Sequence, residues 1–168
     1  MTVQLNEFID YSKPREPKPA LVAVNAVAAD VERALRSDME DKAIQFHLSG
    51  PDVVIDADES LLRQILFNLL LNSIQSVPPG GRIEIAIDRP NALEAALEIR
   101  DNGPGVPLDI QDKIFQPYFT THEKGTGLGL AVVRQIVMLH GWTIQYRTPP
   151  EGGAAFCIAG MKINTKTT

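Results

Sequence analysis

The stretch from Asp58 to Val77, DESLLRQILFNLLLNSIQSV, is apolar around most of its circumference. Asp58 or Ser60 offers an N-cap, and Pro78-Pro79-Gly80-Gly81 stops the run, so it reads as one long helix. A surface helix keeps one polar face in water; one that is apolar nearly all round must be covered by other elements. The chain therefore needs a layer for this helix to lie on. A length of 168 residues, 44% hydrophobic and 22% charged, is enough for a single domain with a real core.

The covering layer is legible as strands. Ile83, Ile85 and Ile87 alternate with Glu84, Ala86 and Asp88, which is the period of a half-buried strand. Ile44, Phe46 and Leu48 alternate in the same way, Val53 to Ile55 forms a short strand, and Leu97 and Ile99 lead another into Asp101. Trp142 to Arg147 and Ala154 to Ala159 flank a Pro-Pro-Glu-Gly-Gly turn. Two further helices are expected, one capped by Asn25 and running to about Met39, the other from the glycine-rich stretch to about Leu139. Helices in a block beside hairpin-like strands predict an α+β two-layer sandwich, one sheet with helices on one face. Val3 to Ser12 reads as a short helix, and the prolines of Lys13 to Ala20 mark a boundary after it.

Composition narrows the function. A net charge of −5 argues against nucleic acid or an anionic membrane surface, both of which need a basic footprint. No segment approaches the ~18 apolar residues of a membrane span, and no signal peptide is evident, so the cytoplasm is the expected location. The single cysteine, Cys157, lies in an alternating apolar run and is expected to be a small core side chain.

Three polar elements interrupt this apolar pattern. Asn68 and Asn72 stand four residues apart, about 40° around the helix and on one stripe. A buried amide without a partner costs roughly 1–3 kcal/mol, so both need one. Helix-to-loop hydrogen bonds would serve, as would a polar ligand such as phosphate or hydrated Mg2+, which favours oxygen ligands. Asp101, in RDNGPGV, shares the core-side face with Leu97 and Ile99. It either begins a tight turn or accepts a hydrogen bond from a base amino group, with Gly103 and Gly105 letting a flat ring lie against backbone. Gly125, Gly127 and Gly129 open a helix and expose N–H groups suited to phosphate. Lys124 and Thr126 stand ready to add charge and a hydroxyl. The pattern is neither a Walker A loop, since no Gly-Lys pair occurs, nor the Rossmann fingerprint, since Leu130 stands where its last glycine would be.

Taken in order, QILFNLLLNSIQSV resembles the N box of the GHKL ATPase superfamily, DNGPGV its first glycine box, IFQPYFTT the F box and GTGLGLAVV the second glycine box. The four together, over roughly Pro19 to Gly160, resemble the catalytic, ATP-binding domain of a bacterial sensor histidine kinase. The resemblance implies the Bergerat fold, a mixed five-stranded sheet packed on three helices, with ATP and Mg2+ bound under a mobile lid. It implies that Asn72 binds Mg2+, that Asn68 supports the magnesium shell and acts in catalysis with Lys124, and that Asp101 takes the adenine amino group. Gly103, Gly105, Val106, Ile114, Phe119, Leu128 and Leu130 would line the nucleotide, and Lys124, Gly125, Thr126, Gly127 and Gly129 would meet its phosphates. Phe115 and Phe119 would anchor the lid. Relatives that hydrolyse ATP carry a glutamate where this chain has Asn68, which points to phosphoryl transfer to a protein instead.

The pattern is broken in places. His122 stands where a Lys or Arg is frequent, Trp142 where a second glycine is usual after His140, and Ala154 where a Thr often reaches the base pocket through water. None of the three histidines has the acceptor pattern of a dimerisation helix. His47 alternates on a strand, His122 sits in the lid, and His140 ends a helix, where a cation suits the dipole. Residues 1–18 are accordingly expected to be the tail of a dimerisation helix and its linker, and 19–168 the catalytic domain. The implied partners are a histidine-bearing dimerisation domain and a response-regulator receiver domain. Two other functions remain open here, a nucleotide-gated interaction module without catalysis and a stand-alone ATPase.

Overall fold

The computed structural model describes residues 15–120 and 127–165. The helix expected over Val3 to Ser12, together with His122, Lys124, Gly125 and Thr126, lies outside the described residues.

Among the described residues eleven elements run in the order β1 (Ala20–Ala23), α1 (Val24–Asp41), β2 (Gln45–Ser49), β3 (Val54–Ala57), α2 (Glu59–Ser76), β4 (Arg82–Asp88), β5 (Glu94–Asp101), a 3-10 turn (Leu108–Ile110), α3 (Gly129–Leu139), β6 (Thr143–Arg147) and β7 (Ala154–Lys162). Five strands form the main sheet in the order β2-β4-β5-β7-β6. Only β2 and β4 are parallel, so the sheet is mixed, and the three helices cover one face as expected. β1 and β3 pair antiparallel as a separate ribbon, Ala20 opposite Ala57.

Asp58 is the cap of α2, its carboxylate accepting the Leu61 N–H at 3.0 Å. Leu62, Ile65, Leu66, Leu69 and Leu70 of this helix are completely buried. They meet the isoleucine face of β4 and the Leu97–Ile99 face of β5, where every second residue is buried. Period-two alternation places Asp101 on that same face, 4% exposed.

Three expectations are corrected. Asn25 is not a cap: α1 begins one residue earlier, and the Asn25 side chain instead accepts the Val53 N–H at 3.0 Å and donates to the Pro51 carbonyl at 3.1 Å, holding the loop before β3. Cys157 is half-buried on the outer face of the sheet, its thiol 3.0 Å from Glu98 Oε2. Arg147 donates to the same oxygen at 2.8 Å. Burial, and then the Glu98 carboxylate, push the thiol up to about 11, so it stays protonated and unreactive at neutral pH. His140 carries no cation at the helix end. Its Nδ1 lies 2.9 Å from the Ile136 carbonyl, which can only accept, and its Nε2 lies 3.1 Å from the Asp58 N–H, which can only donate. That pair of bonds requires a neutral ring protonated on Nδ1. The ring also stacks on Trp142, centroids 4.2 Å apart.

Candidate functional site

The N-terminal end of α3 lies across the middle of α2. Asn68, 4% exposed, donates from Nδ2 to the Gly129 carbonyl at 3.3 Å. Helix-to-loop bonding therefore satisfies one end of this amide and leaves Oδ1 to accept. One turn on, Asn72 is half-buried, and its side-chain amide closes no hydrogen bond among the described residues. The Asn72 backbone carbonyl takes the Ser76 hydroxyl at 2.9 Å. Asn72 thus presents an oxygen ligand at the edge of the site. No cluster of three or more His, Cys, Asp or Glu side chains suited to a metal occurs among the described residues. The donor set suits a cation that keeps several waters, as Mg2+ does, rather than one caged by protein.

At the floor of the site Asp101 fills the first of its two expected parts, the tight turn. Oδ1 accepts the Gly103 N–H at 2.9 Å, the tight turn of the Asp-Asn-Gly sequence. Oδ2 is buried with no hydrogen-bond partner, and so is the Ser73 hydroxyl of α2. Burial pushes the Asp101 carboxyl above the ordinary carboxylate range, against the Gly103 N–H, the Ser73 hydroxyl and the Ala154 amide, all of which favour the charged form. Ser73 Oγ is close enough to act on the charge without making a well-formed hydrogen bond to it. A buried acceptor left unpaired costs on the order of 1–3 kcal/mol. An exocyclic amino group donating to Oδ2 would remove that cost, and a purine carbonyl in its place would add to it.

The wall beside Asp101 is backbone against backbone. A β-carbon on Gly105, whose φ is +75°, would stand 2.6 Å from the Gly153 carbonyl oxygen. Val106 is held at both ends, its N–H donated to the Tyr146 hydroxyl at 2.9 Å and its carbonyl accepting from Gln111 Nε2 at 2.9 Å. Ile114 is buried and Phe119 half-buried against the core. Phe115 meets Phe156 edge to face, centroids 6.1 Å apart. Beyond them Tyr118 donates its N–H to the Gly127 carbonyl at 2.7 Å, with both residues at positive φ. Leu128 is buried and Leu130 half-buried behind this junction. The F box and the second glycine box therefore meet at Tyr118 and Gly127, which brackets the segment holding Lys124, Gly125 and Thr126.

Asn68, Asp101, Gly103, Gly105, Val106, Ile114, Phe119 and Gly127 to Leu130 thus stand on the helix side of the sheet, with Asn72 at the edge. Ser73, Tyr146 and Gly153 join them without having been singled out from the sequence. Ser73, a fully buried hydroxyl among the leucines of α2, carried the one readable signal. A cavity of about 410 Å³ is lined by His47, Arg82, Glu84, Arg100, Asp101 and Asn102, so it shares Asp101 with the site. It contains neither asparagine of α2 and no residue of α3.

A family model described as histidine kinase-, DNA gyrase B- and HSP90-like ATPase matches residues 57–163. The signal transduction histidine-protein kinase AtoS of Escherichia coli K12 is 33% identical over 156 residues, covering 92% of this chain and 26% of AtoS. This chain therefore spans about a quarter of that kinase. The structure of the mycobacterial sensor histidine kinase MprB superposes with a TM-score of 0.77 at 29% identity, covering 86% of this chain and 98% of the solved chain. Histidine kinase ThkA, in complex with response regulator protein TrrA, superposes with a TM-score of 0.82 at 25% identity, covering 99% of this chain and 48% of the solved ThkA chain. The chain belongs to the histidine kinase-, DNA gyrase B- and HSP90-like ATPase family, as a catalytic domain of the sensor histidine kinase kind.

Proposed function

We propose that this domain binds ATP with Mg2+ and transfers the γ-phosphoryl group to a histidine carried on a dimerisation domain, from which a response-regulator receiver domain is then phosphorylated. The observation that carries the nucleotide part is the buried, unpartnered Oδ2 of Asp101 beside the equally unpartnered Ser73 hydroxyl. They match the edge of adenine, amino group first. Asn72 Oδ1 would hold the magnesium, which would neutralise charge on the β- and γ-phosphates.

The chain's own contribution is positioning. Asn68, held by Gly129, would offer its free oxygen to the hydrated cation. The first turn of α3 turns N–H groups toward phosphate. Lys124 is proposed to add positive charge there. With an amide at position 68, that side chain cannot activate water as a base, and the histidine imidazole is proposed to attack in its place. A nitrogen–phosphorus bond forms, the bond to the bridging oxygen breaks, and ADP leaves. Residues 1–18 are proposed to lead in from the dimerisation helix, with 19–168 as the catalytic unit. No described helix is long and apolar enough to cross a membrane, and a cytoplasmic location is proposed. The receiver partner is supported by the ThkA complex with TrrA.

Mixing this domain with a dimerisation fragment and γ-labelled ATP tests the proposal. Label that is stable in alkali and labile in acid, lost when the fragment's histidine is replaced, is expected. Nucleotide binding without such label would leave an interaction module without catalysis, and rapid turnover without label would leave an ATPase.

A further inference from the structure

α2 and α3 are fastened to each other twice. At the nucleotide end Asn68 donates to the Gly129 carbonyl, and at the far end the Asp58 N–H donates to His140 Nε2. Ten residues separate the two ties on α2 and eleven on α3, about 15 and 17 Å at the helical rise. The helices therefore run antiparallel and are matched in length between their fastenings.

The far tie does more than a cap requires. A cap needs one accepted N–H, which Leu61 supplies at 3.0 Å. The Asp58 carboxylate also takes the Lys18 N–H at 2.8 Å and both ends of the Arg15 guanidinium, at 2.7 and 3.2 Å. Its side chain is 5% exposed, whereas that of Arg15 is 44% exposed. The ion pair is thus shielded on the carboxylate side and is forked, the geometry in which such a pair holds a fixed orientation. The arriving chain, the cap of α2 and the last turn of α3 all converge on this one residue.

We infer that Arg15, Asp58 and His140 are positioning residues for the phosphate bed: they set the register of α3 against α2, and through it the placement of Gly129 against Asn68, from the point where the chain arrives. The inference rests on the nucleotide reading of the site. It makes the segment before β1 a lever on the nucleotide site, with no contact to the nucleotide itself.

The test uses this chain with Arg15→Ala, Arg15→Lys and Asp58→Ser, the last keeping a capping oxygen while losing the fork. Arg33→Ala, at an exposed pair with Asp30, is the control. Binding of a non-hydrolysable ATP analogue with Mg2+ and amide exchange along α3 are both measured. Arg15→Ala and Asp58→Ser are expected to bind at least about fivefold more weakly, about 1 kcal/mol, and to exchange faster at both Gly129 and His140. Arg15→Lys should fall between them and wild type, and Arg33→Ala should match wild type. Unchanged affinity together with unchanged exchange at Gly129 in folded Arg15→Ala and Asp58→Ser would overturn the inference. If wild type binds no analogue, the nucleotide reading fails, and exchange at Gly129 still decides whether the latch reaches that end.

Discussion

Gly153 lies flat against the backbone of Asp101: a β-carbon on Gly153 would stand 2.0 Å from the Asp101 carbonyl oxygen and 3.1 Å from the Asn102 α-carbon. Gly153 also carries a φ of +88°. The floor of the candidate site is therefore built from main chain that tolerates no side chain. Gly153→Ala should displace Asp101 and lower the melting temperature by at least about 5 °C, from left-handed strain of about 1 kcal/mol plus the clash. Gly152→Ala has φ +94° but nothing within 4 Å of its β-carbon, and should lose only the strain. Thermal scans of the two variants check this, and equal losses would contradict it.

Asp101→Asn should leave stability at neutral pH no lower than wild type. Burial raises the folded pKa of this carboxyl above its ordinary 3.8. The sign follows: a raised carboxyl favours the fold only while protonated, so its ionised form costs stability as pH rises through the folded value. An amide has no such charge to bury. The melting temperatures should converge as pH falls through the raised folded value, because wild type then carries a neutral carboxyl as well. A large loss of stability in Asp101→Asn at pH 7 would show instead that the carboxylate holds the fold together, and would contradict a carboxyl raised by burial.

Asp58 behaves in the opposite sense. Burial alone would raise it, but hydrogen bonds from Arg15, the Lys18 N–H and the Leu61 N–H hold it at about 2, below its ordinary 3.8. A depressed carboxyl gives stability that is complete above the unfolded pKa and lost as pH falls through the folded one, here between about 4 and 2, and worth on the order of 2 kcal/mol. Denaturant unfolding against pH should show that loss in wild type. Asp58→Asn should start lower at pH 7 and change less over the same window, and parallel profiles would count against the assignment.

Features that depend on neighbours in sequence were readable before any coordinates. The Asp58 cap, the isoleucines of β4 and the inward face of Asp101 follow from capping chemistry and period two, both local. What could not be read depends on partners far along the chain. β1 is four residues long and exists because β3 pairs with it. His140 is neutral because its acceptor nitrogen meets an amide 82 residues away. Asn25 lost its cap role to the loop before β3. Cys157 was misplaced for a different reason. In Ala154-Ala155-Phe156-Cys157-Ile158-Ala159 both faces are apolar or small, so the alternation has no readable phase, and only the Glu98 and Arg147 side chains across the sheet show which face is outward. At the site, the motif residues were legible as types at spacings. Tyr146 and Gly153 were not, because their role is to meet the glycine-box backbone from β6 and the following turn.

The most direct measurement is a calorimetric titration of a non-hydrolysable ATP analogue, with Mg2+, into wild type, Asp101→Asn and Asn72→Ala, repeated with the guanine analogue. Wild type should bind the adenine form. Asp101→Asn should weaken it by at least tenfold, since a charged acceptor for the amino group is worth about 1.5–3 kcal/mol. Asn72→Ala should remove the tightening by Mg2+ and leave metal-free binding largely intact. The guanine form should not bind, because its carbonyl would face the Asp101 carboxylate. Unchanged binding in both variants, or equal affinity for the two bases, would contradict the nucleotide site described here.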